Sequence, residues 1–278
     1  MKVLLFSGSH ARHVYVHEQV IGSKELEIVG VVSMQRESTL PDPPEGWPEH
    51  DKELFRHHFK RRNEIEQATY GERSVEYYED IAPTLFVERD GLNSEEVAEF
   101  VRSVDADACF IFGTGLILDP VLSELPKWRL NFHLGLSPRY KGSATLFWPF
   151  YFLEPQFAGG TLHQIVPEPD AGGIVHHTVP ELKRGNGVHE TAADVVVRFA
   201  DETVVLLEHL AETGSLPVEE QTRTGKLFLS SDFDPHHLRV VYDLYDNDIV
   251  DEYLDGNLGD RHPDVFNAFE ELNIDQPD

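Results

Sequence analysis

The sequence predicts an α/β protein: a mostly parallel, Rossmann-like sheet flanked by helices, ending in a short C-terminal appendage. Three observations predict it. Apolar runs of strand length alternate with stretches of helical period. The opening reads strand, helix, strand, the unit that builds parallel sheets. No internal repeat or low-complexity tract breaks the alternation.

Each element follows from its local pattern. KVLLF (2–6) is a buried strand, followed by Gly8 and an amphipathic stretch over about 11–22. LEIVGVVSM (26–34) is a second strand. STLPDPPEGWP (38–48) is a loop by its Pro and Gly, and the charged stretch over about 49–72 is a solvent-facing helix. Ser94 is placed as an N-cap, with acidic residues in the first turn and Val97, Phe100 and Val101 on one face. DACFIFG and WRLNFHL are strands; GGTLHQIV alternates, and GIVHHTVPEL follows a turn. The pattern over 189–213 is the longest helix. From Gly214 the chain changes character, with Pro217, TGKLFLSSDFDP and short Asp-rich helical patterns.

With 278 residues and 40% hydrophobic residues, the chain can bury a substantial core. No apolar run reaches membrane-span length, the opening apolar stretch is too short for a signal peptide, and the lone Cys109 excludes an internal disulfide. A cytoplasmic protein is expected. Acidic residues number 50 against 23 basic, a net charge of −27. Such a surface repels phosphate backbones and argues against general nucleic-acid binding. The balance also resembles that of proteins from salt-loving organisms, whose counter-ions screen the repulsion.

The chemistry gathers in LNFHLGLSPRYKGSATLFWP (130–149). Strand alternation puts Asn131 and His133 on one face, with Leu130, Phe132 and Leu134 on the other. In a parallel strand that face opens at the carboxyl end, where open α/β sheets bind ligands. Ser143 or Thr145 is placed to cap a following helix, with Pro149 in its first turn. Downstream, Asp170 precedes Gly172 and Gly173, which allow a tight turn beside a ligand. An Asn donor, a switchable His and an orienting carboxylate suit acyl transfer through a tetrahedral intermediate.

NFHLGLSPRYKG, GGTLHQIV and DAGGI, in that order, resemble the signature of the folate-dependent formyltransferases. The resemblance runs from the first strand to about residue 213. Ser137 departs from the Leu common in the loop, and Ala171 from the usual Thr. The resemblance implies a catalytic domain over 1–213 and a short acidic extension over 214–278. It implies 10-formyltetrahydrofolate as formyl donor and a primary amine as acceptor. Asn131 and His133 would donate to the developing oxyanion, and Asp170 would orient His133 or a water and assist proton movement. The neighbouring carboxylate is expected to let His133 carry a proton near neutrality. A pterin pocket is expected at Gly113, Leu116 and Ile117, with Asp170 and Gly172. The acceptor side is expected to hold Ser9 and Arg12, which could touch a phosphate, and Tyr140, Lys141 and His177.

Among the family's acceptors, a nucleotide-linked amino sugar fits the look of the motifs best. The tail is shorter and more acidic than the tRNA-holding domain of methionyl-tRNA formyltransferases. SGSHARH keeps only part of the phosphate loop of glycinamide ribonucleotide formyltransferases. Both of these stay as alternatives, with a formyltetrahydrofolate hydrolase and a catalytically silent folate-binding module beside them, and a homodimer through the tail is compatible with the sequence. No resident metal is expected. His10, His13 and His17 fall on one helix face without a ligand motif; 57–58, 176–177 and 236–237 are weak His doublets. The Asp-rich 242–260 lacks EF-hand spacing, and GTG (113–115) lacks the third glycine of a dinucleotide fingerprint.

Overall fold

The computed structural model of the chain describes residues 1–277. Its strands are β1 (Lys2–Gly8), β2 (Glu27–Met34), β3 (Thr84–Val87), β4 (Ala108–Phe112), β5 (Trp128–His133), β6 (Tyr140–Gly142), β7 (Gly160–Gln164), β8 (Ile174–Thr178) and β9 (Lys226–Phe228). Its helices are α1 (Ala11–Ile21), α2 (Glu49–Tyr70), α3 (Glu95–Val104), α4 (Val121–Glu124), α5 (Trp148–Tyr151), α6 (Val188–Thr213), α7 (Ile249–Leu254) and α8 (Ala268–Leu272). Seven strands form one sheet in the order β3-β2-β1-β4-β5-β7-β8. The five from β3 to β5 are parallel, whereas β7 runs antiparallel to both β5 and β8. The order reverses between β1 and β4, so a crevice is expected at their carboxyl ends.

Both sheet faces are covered, which is why the central strands are unbroken apolar runs. On one face, Val14, Val16 and Val20 of α1 and Val196, Phe199 and Leu206 of α6 pack with Leu5, Phe110 and Phe132. Phe132 stacks on Phe199 at 3.7 Å between ring centroids. A Cβ at position 160 would lie 2.4 Å from the Phe199 ring, so glycine lets α6 sit against β7. On the other face Val97, Ala98 and Val101 of α3 meet Leu4, Phe6 and Ile111. Ser94 caps α3 as the sequence predicts, its hydroxyl accepting from Val97 N. The charged helix over 49–70 is less solvent-facing than its sequence suggests, burying Asp51, Phe55, His58 and Tyr70.

Neither Ser143 nor Thr145 caps the helix that follows them. The single-turn α5 has Phe147 at its N-cap and Pro149 in its first turn. Thr145 instead donates its hydroxyl to Leu134 O, folding the loop back onto the end of β5.

Residues 214–277 share the core with what precedes them. β9 pairs in parallel with β6, the short strand inside the loop after β5. Phe228, Leu238, Val241, Ile249 and Val250 form a third apolar cluster with Phe147, Trp148 and Phe150. Ala268 and Phe269 of α8 enter the main cluster. Gly225 lies so close to the β5–β6 loop that a Cβ there would stand 1.3 Å from Pro138 O. Gly225→Ala therefore forces the tail off the loop. We expect it to cost at least about 2 kcal/mol, as overpacking against backbone does, read as a lowered urea midpoint.

Candidate active site

β5 delivers Asn131 and His133 to one face at its carboxyl end, and the register brings a third side chain to them. Asn131 stands opposite His163 of β7, and His133 opposite Thr161. Asn131 Nδ2 lies 3.1 Å from His163 Nε2, and His163 Nδ1–H donates to Gln164 O at 2.8 Å. His163 Nε2 is therefore the acceptor, and Asn131 keeps its second N–H for the crevice. Thr161 holds the loop, donating to Gly135 O at 2.6 Å and accepting from Ser137 N at 2.9 Å.

Asp170 closes the group from the β7–β8 connection. Its Oδ2 lies 3.5 Å from His133 Nδ1 and its Oδ1 3.4 Å from His163 Nε2. Gly142 N, on β6, donates to Oδ2 at 2.8 Å. The turn after Asp170 requires glycine: a Cβ at Gly172 would lie 1.9 Å from Gln164 O. Burial alone would raise the Asp170 carboxyl; the His133 and His163 rings when they carry a proton, together with the Gly142 N–H, outweigh it and hold it well below the usual carboxylate range.

His133 has the opposite balance. Burial lowers its pKa below the ordinary imidazole value, and the pull of Asp170 does not restore it. The carboxylate favours a proton on this ring, as the sequence suggests, but desolvation is the larger influence. His133 Nε2–H donates to Tyr140 O at 2.9 Å, which fixes the tautomer. The neutral ring thus turns an unprotonated Nδ1 toward a carboxylate, a position built to receive a proton.

The other sequence-picked residues divide. Gly113, at φ +82°, ends β4 against the His13 ring, with no room for a Cβ (2.4 Å). Leu116 is 53% exposed, whereas Ile117 is buried among Leu92, Val97 and Val121. Asn93 brackets this loop, donating to Leu116 O at 2.9 Å and accepting from Leu118 N at 2.7 Å. Tyr140 is buried and gives its hydroxyl to Glu154, so it serves the site through its carbonyl. Lys141 is partly exposed on β6, near enough to His133 to help lower its pKa.

His177 has no free ring nitrogen for an acceptor. Its Nε2–H donates to Ser137 O and its Nδ1 accepts from Phe266 N, both at 2.9 Å, which makes it a clip between loop and tail. Ser9 Oγ accepts from Arg36 N at 2.8 Å, and Arg12 pairs with Glu66 at 2.5 Å.

Around Ser9 the charge inverts. Arg12 and Arg62 share Glu66, at 2.5 and 3.9 Å, and Arg36 and Arg89 share Glu37, at 3.2 and 2.6 Å. Nε of Arg36 and of Arg62 is buried without a hydrogen-bond acceptor. Burial and the neighbouring Arg12 lower the Arg62 guanidinium to about 10. Burial and the same cations lower His10 to about 4. A cavity of about 510 Å³ beside this cluster is lined by Ser9, His10, Thr39 and Asn63 together with Arg73, Glu66 and Glu72. Four guanidiniums share two carboxylates here, a local excess of positive charge in so acidic a chain.

Asp234, His236 and His237 bring ligand atoms within 4.8 Å of one another on the tail, but His237 Nδ1 is tied to the Asp234 backbone. Sequence reasoning passed over His163, whose signal was the shared face of Thr161 and His163 in GGTLHQIV. It also passed over Gln221, a tail residue that donates to the carbonyls of Asp170 and Gly172.

No known family model matches the chain. Over 56 residues, 20% of the chain, it is 38% identical to a methionyl-tRNA formyltransferase of Methylobacterium nodulans. That match spans 18% of the relative's length. Among solved structures, it resembles phosphoribosylglycinamide formyltransferase from Anaplasma phagocytophilum (TM-score 0.55, 16% identity, 82% of this chain and 97% of that one). A 4-N formyltransferase from Francisella tularensis matches at TM-score 0.55 and 14% identity, over 84% of this chain and 77% of that one. An N-formyltransferase from Helicobacter canadensis, in complex with folinic acid and dTDP-3-aminofucose, matches at 0.56 and 13%, over 88% and 82%. At these identities the likeness is one of architecture: the chain has the formyltransferase fold.

Proposed function

We propose that the chain transfers a formyl group from 10-formyltetrahydrofolate to a primary amine carried by a nucleotide-linked sugar. The observation that carries the transfer reading is the placement of Asn131, His133 and Asp170 around one point at the carboxyl end of β5. The folate, when bound, supplies the formyl group. Its expected seat beside Gly113 has exposed apolar side chains to offer, Leu116 at 53% and Leu118 at 44%. The free N–H of Asn131 stabilises negative charge on the formyl oxygen. His133 Nδ1 takes the proton from the attacking amine, and Asp170 stabilises the imidazolium that forms; as the bond from the formyl carbon to the folate nitrogen breaks, that proton passes to the departing nitrogen, releasing tetrahydrofolate and the formamide.

The acceptor reading is supported by the guanidinium group around Ser9, which suits a diphosphate, and by the nucleotide sugar bound in the Helicobacter canadensis relative. The net charge of −27 works against a polyanion as large as tRNA. The test offers the protein a nucleotide-linked amino sugar, glycinamide ribonucleotide and methionyl-tRNA in molar salt, with mass detection of product. The sugar is expected to be formylated fastest. Preferential formylation of either other amine would overturn the acceptor assignment. Arg12→Ala is expected to raise KM for the nucleotide sugar about tenfold with little change in kcat, as loss of one charged contact does.

A further inference from the structure

The segment that follows α6 crosses the site before it pairs with β6. Glu219 exchanges both backbone hydrogen bonds with Ile174 at the start of β8, each 2.8 Å. Two residues on, Gln221 Nε2 donates to Asp170 O at 3.0 Å and to Gly172 O at 2.7 Å. The amide orientation is fixed by chemistry, because a flipped amide would set Oε1 against two acceptors. Oε1 is left buried without a partner, a cost the two donated bonds must offset.

What Gln221 holds is a left-handed turn. Asp170 sits at φ +48°, a region that non-glycine residues adopt uncommonly and Asp more readily than most. Beyond Gln221 the same segment becomes β9 and pairs with β6, placing Lys226 beside Tyr140 and Phe228 beside Gly142. Tyr140 O accepts from His133 Nε2–H, and Gly142 N–H donates to Asp170 Oδ2. The strap therefore fixes the Asp170 backbone on one side and the partners of both His133 and Asp170 on the other.

We propose that Gln221 is a positioning residue for formyl transfer, setting the Asp170 carboxylate against His133 Nδ1 by clamping the turn that carries it. The proposal rests on the reading of His133 and Asp170 as the proton-handling pair. Misplacing such a pair by an ångström costs on the order of 100-fold in rate. Gln221→Ala is accordingly expected to lower kcat about 10- to 100-fold while KM for the amine changes less than about threefold. Gln221→Glu, which keeps the volume but faces two carbonyls with a carboxylate, is expected to be worse than Ala. A space-filling role demands the reverse order.

A readout independent of turnover is the nitrogen NMR titration of the His133 ring, which should shift in both variants. If the wild type transfers no formyl group, the functional reading falls, and the ring titration still decides whether Gln221 sets the pair. The proposal is overturned by wild-type kcat in Gln221→Ala, by a Glu variant milder than Ala, or by an unmoved His133 titration.

Discussion

His133→Ala is expected to lower kcat for formyl transfer by at least about 100- to 1,000-fold, the cost of removing one group that acts on the developing charge. The ring joins three parts of the site: Nε2–H holds Tyr140 O, Nδ1 faces Asp170, and its edge meets His163 at 6.1 Å between centroids. Removing it leaves the Tyr140 carbonyl without this donor, a loss of about 1–3 kcal/mol that a folded chain of this size can absorb. Asp170→Asn is expected to be comparably slow for a different reason. The new amide can donate to His133 Nδ1 and so occupies the position that must receive the amine's proton. Both variants should keep the wild-type circular dichroism and bind the folate. Wild-type kcat in either would refute the assigned roles.

The second large effect is acid unfolding that begins well above carboxylate pH. Burial lowers His17 to about 4, and lowers His177 to about 4 although its bond to Ser137 O opposes this. Burial, with Arg62 nearby, takes His189 to about 3. All three side chains are buried. Below an unfolded value near 6.5, the unfolded chain binds protons that the folded chain refuses, so stability falls with pH until the folded values are reached. At pH 5 this amounts to about 2 kcal/mol for each ring, or roughly 6 kcal/mol for the three, comparable with the whole stability of many domains. Asp170 acts lower down: its depressed carboxyl favours the folded state above about pH 4 and loses that contribution only in stronger acid. The urea midpoint at pH 7 and at pH 5 reads the histidine effect. His17→Phe, which keeps the packing on Phe110 and Tyr78, should remove about 2 kcal/mol of the loss. An equal midpoint at the two pH values would contradict the buried-neutral assignment.

These two effects show what could be read from the sequence and what could not. The parallel half of the sheet was legible because each strand is a local apolar run between turn signals. The pairing of Asn131 with His133 on one face followed from strand alternation alone. The partner of Asn131 was not, because the His163 register depends on β7 running antiparallel to β5, a non-local fact. His177 looked like an acceptor residue for its place after the Asp turn, yet Ser137 and Phe266 claim both its nitrogens. The balance at His133 was not legible because the adjacent carboxylate is visible in sequence while the depth of burial is not. The tail was the least legible part. Its role in the site depends on a three-residue strand and one amide, neither of which has a periodic signature. The close approach at Gly225 is invisible until Pro138 is placed beside it.

The central claim is that this site moves a formyl group to an amine. It is tested most directly by incubating the protein in molar salt with formyl-labelled 10-formyltetrahydrofolate and a nucleotide-linked amino sugar, and following the label by mass spectrometry. The account predicts label in a formamide on the sugar, at a rate abolished by His133→Ala. Label that stays on the folate, or leaves only as free formate, would contradict it.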